Sequence, residues 1–300
     1  MSTYSIKDLE KLSGIKAHTI RIWEQRYRLI EPQRTDTNIR FYSDDDLVKL
    51  MNISVLNQNG YKISKISQLN DSQISEVMLQ LNNEIPSLST QTESLVMAMI
   101  EVDERHFNHV FDKSVENLGF ENTIEQLLFP FLERIGVLWL AGTINPAQEH
   151  FITSLIRQKL IAAIDYQGVK TEGTHPRILF YLPEGEFHEI GLLYYNYLAR
   201  KAEFEVVYLG SSVPFRDIIR IDEIRPAQII FTSFVTSPGI GVLSEKLKKL
   251  KKVFPEKAVL VSGWQVKQEQ PRLPENFIKI SSSTDFKKAL ATYLKKGKIK

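Results

Sequence analysis

The 300-residue sequence contains no cysteine, which excludes disulfides and every thiolate-held metal site. No apolar run approaches the roughly 18 residues a membrane-crossing helix needs. Nothing at the start reads as a signal peptide, so the expectation is a cytoplasmic protein that does not enter a membrane. Low-complexity tracts and internal repeats are missing, which argues against linkers and solenoids. An excess of one charge is also missing, the formal net value being +2. With 43% hydrophobic residues the chain can build ordinary cores, and its length points to two or three domains.

The near-neutral total hides an uneven distribution. Residues 1–72 carry a net +2, residues 73–172 a net −8 and residues 173–300 a net +8. An acidic middle block does not suit a DNA surface, whereas the segment 16–42 concentrates positive charge where phosphates would be met. The lysines between Glu245 and Lys252 read as the solvated face of a helix.

The first block contains a complete docking unit. Ser5 followed by Asp8 is a capping-box pattern, and Ile6, Leu9 and Leu12 give the helix it opens one apolar stripe. Ser13-Gly14 supplies a turn. A second helix, from Ala17 to about Tyr27, places Ile20, Trp23 and Tyr27 on one face and leaves His18, Arg21, Gln25 and Arg28 elsewhere. The stretch from Pro32 to Tyr42 has turn residues at its centre and arginines and aromatics on its arms, as a hairpin wing does. Helix, turn, helix and wing together suit major-groove reading by the second helix and phosphate contacts by the wing. Ser43 with Asp44, Asp45 and Asp46 opens a third helix carrying Leu47, Leu50, Ile53 and Leu56; Asn57-Gln58-Asn59-Gly60 ends it, and Ile63 to Leu69 completes the small core.

The middle block reads as helices. After a short one at Val77, Met78 and Leu81, four apolar stripes follow: Leu95 to Ile100; Phe107, Val110 and Phe111; Ile124, Leu127, Leu128, Phe131 and Leu132; and Phe151, Leu155, Ile156, Leu160 and Ile161. Breaks at Pro86-Ser87, Gly119, Gly142 and Asn145-Pro146 argue for a four-helix bundle. Pro130 falls inside the third stripe and is expected to kink it. His106 and His109 lie three apart on a helix, a spacing that zinc uses when a third ligand is supplied. Asp103, Glu104 and Asp112 are the nearby candidates, and a surface pair is the default reading.

From Pro176 onward short β-branched runs alternate with amphipathic helices. Strands are expected at Arg177–Leu182, Glu205–Leu209, Gln228–Ser233, Ala258–Val261 and Phe277–Ile280, and helices at 190–201, 215–224, 240–254 and 284–295. That alternation predicts right-handed crossovers and a parallel sheet with ligands beyond the carboxyl ends of its strands. The loop after the first strand holds Glu186 and His188. A histidine there can turn one ring nitrogen to a metal while the carboxylate orients the other. Gly191 lets the following helix approach a bulky ligand.

Specific words resemble a known family. Thr19-Ile20-Arg21-Ile22-Trp23-Glu24-Gln25-Arg26-Tyr27, then Pro32, Arg34-Thr35, Asn38, Arg40 and Tyr42-Ser43, are similar to the N-terminal domain of MerR-type transcription regulators, in the subgroup with a cobalamin-binding domain typified by CarH and LitR. The resemblance implies contacts to double-stranded promoter DNA from Thr19 and Arg21 on the recognition helix and from Arg34, Thr35, Arg40 and Tyr42 on the wing. Glu133 to Trp139, Gly142 and Ala147-Gln148-Glu149-His150 resemble the helical cap of the same subgroup. There Trp139 would cover the upper face of the corrin, and Glu149 and His150 would face the same ligand. The subgroup carries His after that Trp; Leu140 stands here, which removes the second imidazole of a bis-histidine light product. Glu186-x-His188-x-x-Gly191 resembles the Asp-x-His-x-x-Gly word of cobalamin domains of the methionine synthase and methylmalonyl-CoA mutase type. By that likeness His188 is the lower axial ligand of cobalt, Ser233 lies by the nucleotide tail, and Gly263 keeps one of two paired glycines while Ser262 replaces the other.

The expected fold is therefore a multidomain chain, α followed by α/β. Residues 1–72 form a winged helix-turn-helix, 73–172 a four-helix-bundle cap, and 173–300 a doubly wound, Rossmann-like sheet domain. The resemblance implies a non-enzymatic, homo-oligomeric regulator, a dimer or tetramer on paired half-sites. Its operator binding would be set by cobalamin held between cap and sheet domain, and with adenosylcobalamin it would be a photoreceptor. The alternative keeps the fold and drops the ligand: a repressor whose rear domains serve assembly or partner binding, with Leu140, Glu186 and Ser262 in its favour. A corrinoid carrier for a methyltransferase is set aside, because a DNA-binding head has no use there.

Overall fold

The computed structural model describes residues 4–34, 38, 40–70, 73, 74, 77, 87–140, 144–169, 175–236 and 241–297. Thr35 and the rest of the wing tip, Met78, Leu81, Pro86, Gly142, Ile240 and the expected domain joints at 72/73 and 172/173 lie outside them, as do the side chains of Asp44 and Leu140. The chain forms two compact units, Met1–Leu155 and Ile156–Lys300.

The first unit begins with α1, Ile6–Ser13, opened by the reciprocal cap: Ser5 N donates to Asp8 Oδ2 at 2.8 Å and Asp8 N to Ser5 Oγ at 3.3 Å. The second helix, α2, spans Ala17–Tyr27. Leu9, Leu12 and Ile20 are fully buried and Trp23 nearly so, which locks the two helices at the turn. Strands β1 (Gln33–Arg34) and β2 (Arg40–Phe41) pair antiparallel as the arms of the wing. A second capping box, Ser43 with Asp46, starts α3, Asp44–Gln58, and Leu47, Leu50, Ile53 and Leu56 are buried along it. The short α4, Ile63–Ile66, closes the small core with Ile66.

The helical part follows with α5, Leu88–Ile100, whose apolar second half, Leu95–Ile100, is buried and whose polar first half also buries Thr90, Gln91, Glu93 and Ser94. Asp103 caps α6, Glu104–Leu118, by accepting from Arg105 N and His106 N. Beyond Gly119 come α7 (Phe120–Asn122), a π-helical stretch (Thr123–Leu128) and α8 (Phe129–Leu140). The expected disturbance at Pro130 takes the form of that wide turn immediately before it. A proline ring crowds the carbonyl four residues back, here Gln126, and widening the backbone there keeps Ile124, Leu127, Leu128 and Phe131 buried on one side. Helix α9 spans Pro146–Tyr166. Its apolar stripe differs from the expected one: Ile152, Leu155, Ile156 and Leu160 are buried, whereas Phe151 is half-buried and Ile161 is 46% exposed. Positions 152, 156 and 160 repeat every four residues, and 161 lies about 100° further round the helix.

The second unit is a five-stranded, all-parallel sheet of order β4-β3-β5-β6-β7: β3 Arg177–Pro183, β4 Glu205–Val213, β5 Ile229–Ser233, β6 Ala258–Ser262 and β7 Phe277–Lys279. Helices α10 (Ile190–Lys201) and α14 (Ser283–Gly297) pack together on one face, where Tyr195, Phe231 and Phe286 form a ring cluster. Ile218 of α11 (Phe215–Ile224), Leu243, Leu247 and Leu250 of α12 (Val242–Val253) and Val266 of α13 (Trp264–Glu269) fill the other. The chain leaves β3 toward α10 on one face and β5 toward α12 on the opposite one, so the order reverses between these two strands and their loops splay apart.

Two features depart from the sequence expectation. Strand β4 runs on past its expected end at Leu209 through Gly210-Ser211-Ser212, by means of register shifts against β3. Helix α13 had no legible period because it has only six residues after Gly263. Gly263 itself is dictated by the fold: at φ +106° a Cβ would lie 2.2 Å from Phe234 O. Gly263→Ala should therefore cost about 3 kcal/mol or more, combining overlap with backbone strain. Denaturant unfolding of the variant reads this; an unchanged midpoint would show that the backbone does not approach Phe234 as closely as described.

Candidate functional site

In the head, Arg21 is exposed on α2 and Thr19 half-exposed, with Thr19 Oγ1 3.3 Å from His18 Nε2. Ile22, not singled out by its sequence, is 50% exposed beside Arg21. On the wing, Arg34 donates to Asn38 Oδ1 at 2.6 Å across the tip. Arg40 and Tyr42 are placed otherwise. Arg40 Nε lies 3.4 Å from Glu24 Oε1, and Tyr42, fully buried, donates its hydroxyl to Glu24 Oε2 at 3.2 Å. Burial first, then the Glu24 charge, pushes that phenol up to about 12. Tyr42 thus braces the wing against α2. Glu24 is the pivot of this brace and was missed in sequence, because its partners lie 16 and 18 residues away.

A second anchor was also missed. Arg134 of α8 forms a two-armed pair with the buried Glu93 of α5, at 2.6 and 3.2 Å, and donates from Nη2 to Leu12 O at 2.6 Å. Leu12 is in the last turn of α1, next to the turn that sets α2. Burial raises the Glu93 carboxyl against the opposing pull of Arg134, so this guanidinium keeps a desolvated charge tolerable and ties the head to the helical part.

Trp139, at the end of α8, is 45% exposed. In the first turns of α9 Glu149 Oε2 lies 2.8 Å from His150 Nδ1, with His150 exposed. His106 is half-buried and its pKa is lowered, chiefly by that burial. Its ring, Glu101 and Asp103 bring ligand atoms within 4.8 Å of one another, but Asp103 is already engaged as the cap of α6.

In the second unit the loop after β3 is built around Glu186. One carboxylate oxygen meets His188 Nδ1 at 2.7 Å; the other accepts from Val235 N at 3.0 Å and from Thr236 N and Oγ1, both at 2.8 Å. The carboxylate is buried while the His188 ring is 61% exposed. With Nδ1 held, Nε2 is the nitrogen that a metal would take. Burial alone would raise Glu186, but the bonds from His188 and Thr236 outweigh it and hold the carboxyl far below the usual range. Next to it, Glu189 is fixed by Arg157 Nε at 2.8 Å and by the Tyr208 hydroxyl at 3.3 Å. Sequence reasoning had no signal for this pair of contacts.

The remaining expected residues divide. A Cβ on Gly191 would meet nothing within 4 Å, so no contact within the chain demands glycine there. Ser233 is buried at the end of β5. Ser262 uses its hydroxyl on Ile280 O at 3.0 Å, and Gly263 is explained by Phe234 as above. An imidazole on a splayed loop, oriented by an ionised carboxylate, is a donor set that fits the lower face of a cobalt corrin.

Residues 4–73 match the model of the MerR HTH family regulatory proteins, and residues 91–163 match that of the B12 binding domain. The chain thus joins a MerR-type HTH domain to a B12 binding domain, the combination its relatives among the transcriptional repressors share. Among its relatives is the HTH-type transcriptional repressor CarH of Myxococcus xanthus, 29% identical over 265 residues, or 84% of this chain and 86% of that one. The repressor CarA of the same organism is 27% identical, over 71% of this chain and 69% of its own. The regulator also shares its fold with the Methanosarcina barkeri monomethylamine corrinoid protein, at TM-score 0.54 and 12% identity, covering 69% of this chain and all of that one. Among the described residues no helix is long and apolar enough to cross a membrane.

Because Glu186 is depressed in the folded regulator, its contribution to stability is present above the ordinary carboxylate pKa of about 4.3 and is lost as pH falls below it. Melting temperatures should fall more steeply between about pH 5 and pH 3 for the wild type than for Glu186→Gln. Parallel profiles would show that the carboxylate is not held as described.

Proposed function

We propose that the regulator binds double-stranded promoter DNA through Thr19, Arg21 and the wing residues Arg34 and Thr35, as a homo-oligomer on paired half-sites. Arg40 and Tyr42 act by positioning that wing through Glu24. Its grip on the operator is controlled by cobalamin, with adenosylcobalamin as the form sensed and the cytoplasm as its place of work. The observation that carries this reading is the Glu186 carboxylate, which holds His188 Nδ1 and so leaves Nε2 as the nitrogen that would hold the cobalt. When bound, adenosylcobalamin supplies a light-labile carbon–cobalt bond, and with it a photoreceptor's signal.

The chain's own residues do the rest. Glu186 fixes the tautomer and plane of His188, and the donors of Val235 and Thr236 keep Glu186 ionised. Gly191 leaves the start of α10 without a side chain beside that loop, and Ser233 borders the same end of the sheet. In the helical domain Trp139, Glu149 and His150 are the proposed ligand contacts; Leu140 offers no imidazole. A ligand shifts an equilibrium only by preferring one arrangement of the chain. Arg134, five residues before Trp139 on α8 and bonded to Leu12 O, carries such a preference to the turn that positions α2.

His188→Ala should leave the protein colourless after incubation with adenosylcobalamin in the dark and desalting, where the wild type retains an absorbing cofactor. An equally coloured variant would remove His188 from the ligand set, and a colourless wild type would favour a repressor that needs no cobalamin. Arg134→Met should keep the colour and still bind DNA, yet reduce the cobalamin-dependent change in operator affinity by about tenfold, equivalent to ~1.4 kcal/mol of coupling. Fluorescence anisotropy with labelled operator measures this; a full-sized change would exclude Arg134 from the route.

A further inference from the structure

The sheet face that packs α11 and α12 carries an opening whose lining includes neither Glu186 nor His188. Between the carboxyl ends of β3 and β4 and these two helices lies a crevice of about 350 Å³, within the range of about 300–1,000 Å³ that small-molecule sites occupy. Its walls are apolar, formed by Tyr181, Val213, Phe215, Ile218, Phe234 and Leu250. Two cations, Lys246 and Lys249, lie one turn apart on α12 and complete the lining against a single carboxylate, Glu184. Lys249 Nζ is 4.4 Å from the centroid of the Phe215 ring. Its ammonium therefore sits over the face of a ring that lines the crevice. Lysines on a helix are ordinarily just solvated. These two differ from Lys248, Lys251 and Lys252 in bordering a concave apolar surface.

We propose that this crevice binds a small apolar anion, a molecule with a hydrocarbon or aromatic body and one carboxylate. The body lies against Phe215, Ile218 and Phe234, and the carboxylate points toward Lys246 and Lys249. The site is separate from the ring cluster on the α10 and α14 face, and binding there needs no cobalamin. It borders the His188 loop, because Pro183 and Glu184 belong to both: Glu186 N donates to Pro183 O at 2.9 Å, Gly185 N to Ser212 Oγ at 3.1 Å and Ser212 N to Glu186 O at 3.0 Å. An occupant of the crevice thus bears on the strand end from which the axial histidine hangs.

The test uses the full chain without cobalamin and the fluorescence of 8-anilinonaphthalene-1-sulfonate, with decanoate and decanol as competitors. The expected result is saturable, blue-shifted emission that decanoate displaces and decanol displaces far less well. Val213→Trp, at a half-buried rim position, should weaken the probe about tenfold by filling the crevice. The double variant Lys246→Gln with Lys249→Gln, which leaves the core untouched, should weaken it about fivefold by removing both cations. Circular dichroism confirms that both variants are folded. Absence of saturable emission, unchanged affinity in either variant, or equal displacement by decanol overturns the proposal. His188→Ala should bind the probe as the wild type does, so a failure of cobalamin binding and a failure of this site are read separately.

Discussion

A carboxylate that is buried and must stay ionised governs the second unit of this chain. Desolvating a charge costs several kcal/mol unless hydrogen-bond donors replace the lost water, and Glu186 collects them from two directions. His188 approaches one oxygen, and Val235 and Thr236 approach the other. The two groups of donors belong to the loops after β3 and β5, the adjacent strands between which the sheet reverses direction. One side chain thus stitches the splayed loops across the switch point and fixes the exposed imidazole there. Glu in place of the family's Asp does not lose this contact; its extra methylene still reaches His188 Nδ1 at 2.7 Å while the far oxygen spans to the second loop.

The first unit is organised by the same kind of interaction. Glu24 receives Arg40 and Tyr42 and so holds the wing to the recognition helix; Glu93 receives Arg134, whose other arm reaches the end of α1. Each anchor spans elements far apart in sequence, and each would leave an uncompensated charge if one partner moved away. Such contacts are all-or-none, which is what a switch between two arrangements of a chain requires.

Much of the fold was legible because local and global preferences agree. The two capping boxes start α1 and α3 at Ser5 and Ser43, and the alternation of β-branched runs with helical stripes foretold five parallel strands. Failures came where tertiary context decided. Ile161 fits a helical stripe by spacing yet faces outward; Ser211 and Ser212 look like loop residues but extend β4 through bulges; and α13 is too short to show a period. At the candidate site, His188 and its partner Glu186 were visible as a word two residues apart. Arg134, Glu24, Glu189 and Arg157 were not, since their roles depend on pairings 16 to 122 residues apart that no spacing rule encodes. Tyr42, a position the resemblance gives to DNA contact, is fully buried here with its hydroxyl on Glu24.

The central claim is a linkage between cobalamin and operator, and linkage is reciprocal. The direct measurement is the dark affinity of the wild-type chain for adenosylcobalamin, by absorbance titration, with and without a saturating excess of operator DNA recovered by selection from random sequence. The account predicts that operator changes the apparent Kd for cobalamin by at least about tenfold. Identical titrations with and without DNA would contradict it.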